Sequence, residues 1–94
     1  MEKDVERTLK KGVENLGGKC YKWVSPNQNG VPDRIVLLPK GVVIFVELKD
    51  YQGRISQVQK IQHKIIQDLG FQVYVLNSKV RVSEFLDFCK ELIS

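Results

Sequence analysis

The stretch from Val31 to Lys49 constrains this chain more than any other. It holds two apolar runs, Ile35 to Leu38 and Val42 to Val46, joined by Pro39-Lys40-Gly41 and charged at both outer rims. Pro32 forces Val31 into an extended conformation, so a strand is expected from Asp33 to Leu38. The short loop suits a type I turn with Gly41 in the left-handed position. If the hairpin is symmetric about Lys40, Leu37 lies opposite Val43, Ile35 opposite Phe45, and Asp33 opposite Glu47. Directly opposed side chains have Cβ atoms ~5 Å apart. Two carboxylates that close repel each other, and a divalent cation is the simplest offset. Alternation along the second strand puts Glu47 and Lys49 on one face and Leu48 on the other, in the core. A Glu-Lys pair at an exposed strand end also fits a solvated rim, and the spacing alone leaves both readings open.

The flanking segments supply helices and two more strands. Val5, Leu9, Gly12, Val13 and Leu16 recur at helical spacing, so residues 2 to 16 read as a helix stopped by Gly17-Gly18. At about 100° per residue, Glu2 falls inside this stripe and Glu6 on its edge; acids in a first turn also suit the helix dipole. Lys19 to Val24 alternates as a half-buried strand should, with Trp23 read as core. Ser25 to Gly30 has loop composition. Lys22, Gln28 and Asn29 can donate to phosphates. After the turn at 50–53, residues 56 to 69 read as a second helix. Its stripe of Val58, Ile61, Ile65 and Leu69 is expected to face the core, and Gly70 ends it. Ser56 and Gln59 form a capping-box pattern, and His63 is expected in solvent. Phe71 to Leu76 reads as a strand, Asn77-Ser78 as a turn, and Ser83 as the cap of a last helix carrying Phe85, Leu86, Cys89, Leu92 and Ile93. The order is helix, three strands, helix, strand, helix. The second helix can link the third and fourth strands as a right-handed parallel crossover. The fold class is therefore α/β, one mixed sheet flanked by helices.

Ninety-four residues suit a single domain over 1–94. A core this small is modest, and a dimer would help it. No run of ~18 apolar residues is present to span a membrane, and the first residues lack the apolar segment of a signal peptide. A cytoplasmic setting is expected. Cys20 and Cys89 lack CxxC spacing or a companion His pair, which argues against zinc; both read as small buried apolar residues. The net charge of +4 fits a polyanionic partner, but charge alone is a weak signal.

Pro32-Asp33 followed by Glu47-Leu48-Lys49 resembles the PD-(D/E)xK nuclease signature, and the αβββαβ order with a C-terminal helix is similar to that restriction-endonuclease-like core. The finer pattern resembles the VRR-NUC (virus-type replication-repair nuclease) branch: Gly30-Val-Pro-Asp-Arg34, Val46-Glu-Leu-Lys49, and Gly53-Arg-Ile-Ser56 with Gln59. Val5-Glu-Arg7 and Gly17 also resemble archaeal Holliday-junction resolvases. The match covers nearly the whole chain. The resemblance implies that Asp33, Glu47 and the Leu48 carbonyl bind Mg²⁺ or Mn²⁺, and that Lys49 orients or helps deprotonate the attacking water. It also implies that Glu6 is the first-helix acid and Gln59 the second-helix glutamine. Hard oxygen ligands suit such cations. The activity implied is hydrolysis of DNA phosphodiesters by an endonuclease selective for junctions, flaps or other branched DNA. A homodimer is implied, with apolar side chains of the first or last helix at its interface, in a bacterial cell or encoded by a phage. Lys22, Gln28, Asn29, Arg34, Arg54 and Lys60 are the candidate DNA contacts. A DNA-binding module or scaffold subunit that keeps the fold without the chemistry is the alternative.

Overall fold

The hairpin takes the expected register. In the computed structural model, which describes residues 3–94, β2 (Arg34–Leu38) pairs antiparallel with β3 (Val42–Leu48), Ile35 opposite Phe45 and Leu37 opposite Val43. The ladder runs to Arg34 opposite Val46, so one further step sets Asp33 against Glu47. The connection differs from expectation in one residue. Lys40 (φ 68°) joins Gly41 (φ 73°) in the left-handed region, because the short 3-10 turn at Pro39–Gly41 reverses the chain within three residues.

β1 (Lys19–Lys22) adds antiparallel to β2, and β4 (Gln72–Leu76) adds parallel to β3, giving the order β1-β2-β3-β4. The parallel pair needs a crossover, which α2 (Gln57–Asp68) supplies. α1 (Lys3–Asn15) precedes the sheet and α3 (Lys79–Ile93) follows it. The expected Ser83 cap is corrected: Ser78 accepts from the Arg81 N–H and starts α3 earlier, leaving Ser83 inside the helix. Ser78 is the first small hydroxyl after the strand, and a helix nucleates where its free N–H groups first meet an acceptor.

Strand alternation divides the sheet into two unlike faces. Val36, Leu38, Ile44, Val46, Leu48 and Leu76 pack against Val5, Leu9 and Val13 of α1 and Val82, Phe85 and Cys89 of α3, all buried. Gly12 lets the two helices meet, since a Cβ there would collide with Leu86. On the opposite face, Phe45 stacks between Trp23 (ring centroids 5.2 Å) and Phe71 (5.5 Å) beneath α2, so Trp23 is half-buried.

α2 corrects the largest expectation. Its apolar stripe does not face the core: Val58, Ile61, Ile65 and Leu69 are 48%, 58%, 46% and 72% exposed. The buried side instead carries His63 and Ile66, with Gln59 half-buried. Helical periodicity finds a stripe but does not say which partner covers it. Here the sheet end beneath α2 offers a buried carboxyl, Glu47, which is met by polar groups of the helix.

Candidate active site

Asp33 and Glu47 meet at the end of the β2–β3 ladder, as the pairing predicts. The Leu48 N–H faces the Asp33 carboxylate, at 3.3 Å from Oδ1 and 3.4 Å from Oδ2. Along a strand the N–H and C=O of one residue face the same neighbour, so the Leu48 carbonyl is directed to the Asp33 side while its side chain is buried. Lys49 Nζ lies 3.8 Å from Glu47 Oε2. Its own N–H donates to the Leu76 carbonyl at 3.0 Å, which fixes the strand end against β4.

α2 reaches the same carboxylate through Gln59. Its Oε1 accepts from the Ser56 N–H at 2.9 Å while the Ser56 hydroxyl accepts from the Gln59 N–H, completing the capping box. Its Nε2 donates to Glu47 Oε2 at 3.2 Å. One side chain therefore both caps the helix and holds the acid. The loop before β2 closes on this helix at Gly30 (φ +90°), where a Cβ would lie 2.7 Å from the Val58 carbonyl; no other residue fits there without displacing α2.

From the other side, α1 contributes Glu6. Its Oε1 pairs with Arg34 Nη2 at 3.2 Å, and Arg34 Nη1 donates to the Asp33 carbonyl at 2.9 Å with Asp33 Oδ1 at 3.5 Å. Arg34, a candidate DNA contact from sequence, is thus buried and committed to Glu6 and Asp33. Glu2 lies outside the described residues. Lys22, Gln28, Asn29, Arg54 and Lys60 are exposed. Of these, Lys22 lines a groove of about 430 Å³ with Lys3, Glu6, Arg7 and Lys10.

His63, expected in solvent, is the residue that sequence reasoning missed. It is 5% exposed and points Nε2 at Glu47 Oε1, 3.9 Å away. Its position four residues after Gln59, on the same helical face, was the available signal.

The electrostatics follow from crowding. Burial and then Asp33 push the Glu47 carboxyl up to about 7. Burial likewise raises Asp33, against the opposing pull of Arg34 and the Leu48 N–H. Burial lowers His63, with Lys49 adding to the effect. Two adjacent carboxylates cannot both ionise cheaply, so below about pH 7 the pair tends to keep one proton. A divalent cation could take its place. Glu47 Oε1 is buried without a hydrogen-bond partner among the described residues, as suits a group with ligand capacity to spare. Among the described residues no three His, Cys, Asp or Glu gather to hold a metal ion. Two carboxylates, a backbone carbonyl and retained waters are nonetheless a donor set that Mg²⁺ or Mn²⁺ accepts.

The fold and this paired-carboxylate strand end define a nuclease-type domain, and comparison with known proteins makes the class specific. No family model matches the chain. A solved structure described as a VRR_NUC domain superposes with a TM-score of 0.84 at 32% identity, covering 89% of this chain and 91% of that one. The chain is also 44% identical over 78 residues to "Putative nuclease p44" of Acyrthosiphon pisum secondary endosymbiont phage 1, covering 83% of this chain and 84% of the phage protein. The chain belongs to the VRR-NUC nuclease family.

Proposed function

We propose that this protein is a Mg²⁺- or Mn²⁺-dependent endonuclease that hydrolyses phosphodiester bonds of branched DNA, such as junctions or flaps, in the cytoplasm. The observation that carries this reading is the Asp33–Glu47 pair with Lys49 beside it, held by Gln59 from α2 and by Arg34 and Glu6 from the α1 side. When bound, the cation lowers the pKa of water and offsets charge on the scissile phosphate. Asp33, Glu47 and the Leu48 carbonyl supply the ligand oxygens. Lys49 orients the attacking water and, as a lysine beside a carboxylate, answers to its surroundings. Gln59 fixes the Glu47 carboxylate, and Glu6 fixes Arg34, which in turn fixes Asp33.

The groove of Lys3, Arg7, Lys10 and Lys22 offers four cations beside the Glu6 end of the site. It is a better backbone track than Arg34, which is turned inward. Lys49 lines a second groove of about 310 Å³ with Asp50, Tyr51 and Asn77.

The homodimer belongs to this proposal, and its surface is α2 rather than α1 or α3. Both of those helices pack their apolar sides into the core. Val58, Ile61, Ile65 and Leu69 instead form an uncharged, exposed stripe. Their spacing suits a helix–helix seam, and an apolar patch of a few hundred Å² commonly marks an interface. A second copy of the same stripe fits it, because a two-fold seam needs only self-complementarity.

A cleavage panel tests the activity: a four-way junction, a flap and plain duplex, each with and without Mn²⁺. The expected result is Mn²⁺-dependent cutting of a branched substrate, reduced by Asp33→Ala roughly 10³-fold, the loss of several kcal/mol of charge stabilisation. Salt-sensitive DNA binding with no cleavage would favour the binding module instead.

A further inference from the structure

We infer that His63 is a positioning residue for Glu47, acting through one bridging water on the carboxylate oxygen that Gln59 leaves free. The inference rests on the metal-nuclease reading above and extends it to a residue that the family signature does not include.

Glu47 has two oxygens with different surroundings. Oε2 receives the Gln59 amide at 3.2 Å and lies 3.8 Å from Lys49 Nζ. Oε1 is fully buried and has no hydrogen-bond partner among the described residues. His63 Nε2 is buried and unpartnered in the same way. These two orphaned atoms face each other at 3.9 Å. A buried polar atom left unpaired costs about 1–3 kcal/mol, and more if charged, so an opposed pair points to one shared partner.

The distance identifies that partner. At 3.9 Å the atoms are too far apart for a direct hydrogen bond. A water with contacts of ~2.8 Å to each spans the gap at an angle of roughly 90° at its oxygen, an acceptable geometry for a buried water. A cation ligated by both atoms at about 2.1 Å would open the angle to roughly 135°, far from octahedral. Water fits, and direct ligation by His63 does not. The neutral imidazole can donate or accept at Nε2, so it can serve the water in either sense.

Gln59 and His63 sit one turn apart on α2 and take opposite oxygens of a single carboxylate. Glu47 is thereby held through both oxygens, and each oxygen keeps a further lone pair for other partners. A ligating carboxylate fixed by outer partners typically loses 10–100-fold in metal affinity when one is removed.

The test uses the full chain with Mn²⁺ as the probe. His63→Leu fills the same space without a polar nitrogen, and His63→Gln restores one. Calorimetry should show Mn²⁺ affinity falling 10–100-fold in His63→Leu, with its melting temperature held or raised, and recovering to within ~5-fold of wild type in His63→Gln. Wild-type affinity in a folded His63→Leu variant overturns the inference, since simple packing would leave binding unmoved. A high-resolution crystal structure of the wild type reads the same point without substitution. An oxygen within hydrogen-bond distance of both Nε2 and Oε1 supports it, and either atom bonded elsewhere overturns it. Absence of Mn²⁺ binding by the wild type itself would strike the metal reading, and the crystal structure would still decide the bridge.

Discussion

The two faces of the sheet are built to opposite rules. Toward α1 and α3 the buried side chains are apolar except Arg34, which pairs with Glu6 at the end of the sheet, and Leu9, Val13, Val36, Val46, Val82 and Cys89 are wholly buried. Toward α2 the sheet presents Glu47 and the Trp23–Phe45–Phe71 cluster, and the helix answers with Gln59 and His63 while its aliphatic stripe stays outside. One face carries the stability of a small domain. The other, in our reading, carries the chemistry and the partner surface, with Arg34 and Glu6 reaching the acids from the α1 side. A helix that must bring polar groups to a buried acid has to turn its apolar side elsewhere.

The sharpest way to break this division is to cut each face and compare. Leu9→Ala on the sealed face should cost about 2–5 kcal/mol, lowering the melting temperature by about 10 °C or more for a domain this size. A much smaller loss would mean that the α1 face is not the main source of stability.

The open face should instead reveal itself through pH. Glu47 titrates near 7 in the fold against an ordinary 4.5, so the native state holds a proton that the unfolded chain has released. Its stabilising contribution is full below about 4.5 and is lost as pH rises to about 7, on the order of 2–3 kcal/mol. Asp33, also raised, acts in the same direction. His63, lowered from 6.5, opposes them by gaining stability as pH rises toward that value. Thermal melts from pH 4.5 to 7.5 should therefore show a net decline that Glu47→Gln removes. A profile unchanged by Glu47→Gln would contradict the buried proton.

The smallest effect on folding is expected from the α2 stripe. Ile61→Ser should change monomer stability by no more than about 0.5 kcal/mol, as at an ordinary surface position. Ile65→Asp should convert a dimer to a monomer by light scattering, with the melting behaviour of the monomer unchanged. Wild type already monomeric at high concentration would remove the dimer from the account.

Much of this was legible in the sequence, for physical reasons. Hairpin register follows from a short loop, so the Asp33–Glu47 juxtaposition could be read from Pro39-Lys40-Gly41 and strand alternation. Gln59 was visible both as a cap and as the glutamine of the family pattern, and the structure joins the two roles in one side chain. The orientation of α2 was not legible, because periodicity locates an apolar stripe without naming what lies under the helix. His63 is hidden for the same reason: an apolar stripe read as core implies water on the opposite side of the helix, where His63 lies. Arg34 looked like a free cation, and only tertiary structure shows Glu6 and Asp33 on either side of it.

The central claim is that Asp33 and Glu47 together hold a divalent cation, and calorimetric titration of Mn²⁺ into the protein tests it most directly. The account predicts a saturable site whose affinity rises with pH up to about 7, as the proton on the pair is displaced. It also predicts that Asp33→Ala abolishes the binding while the protein remains folded. No binding at pH 7.5, or equal binding by Asp33→Ala, would contradict it.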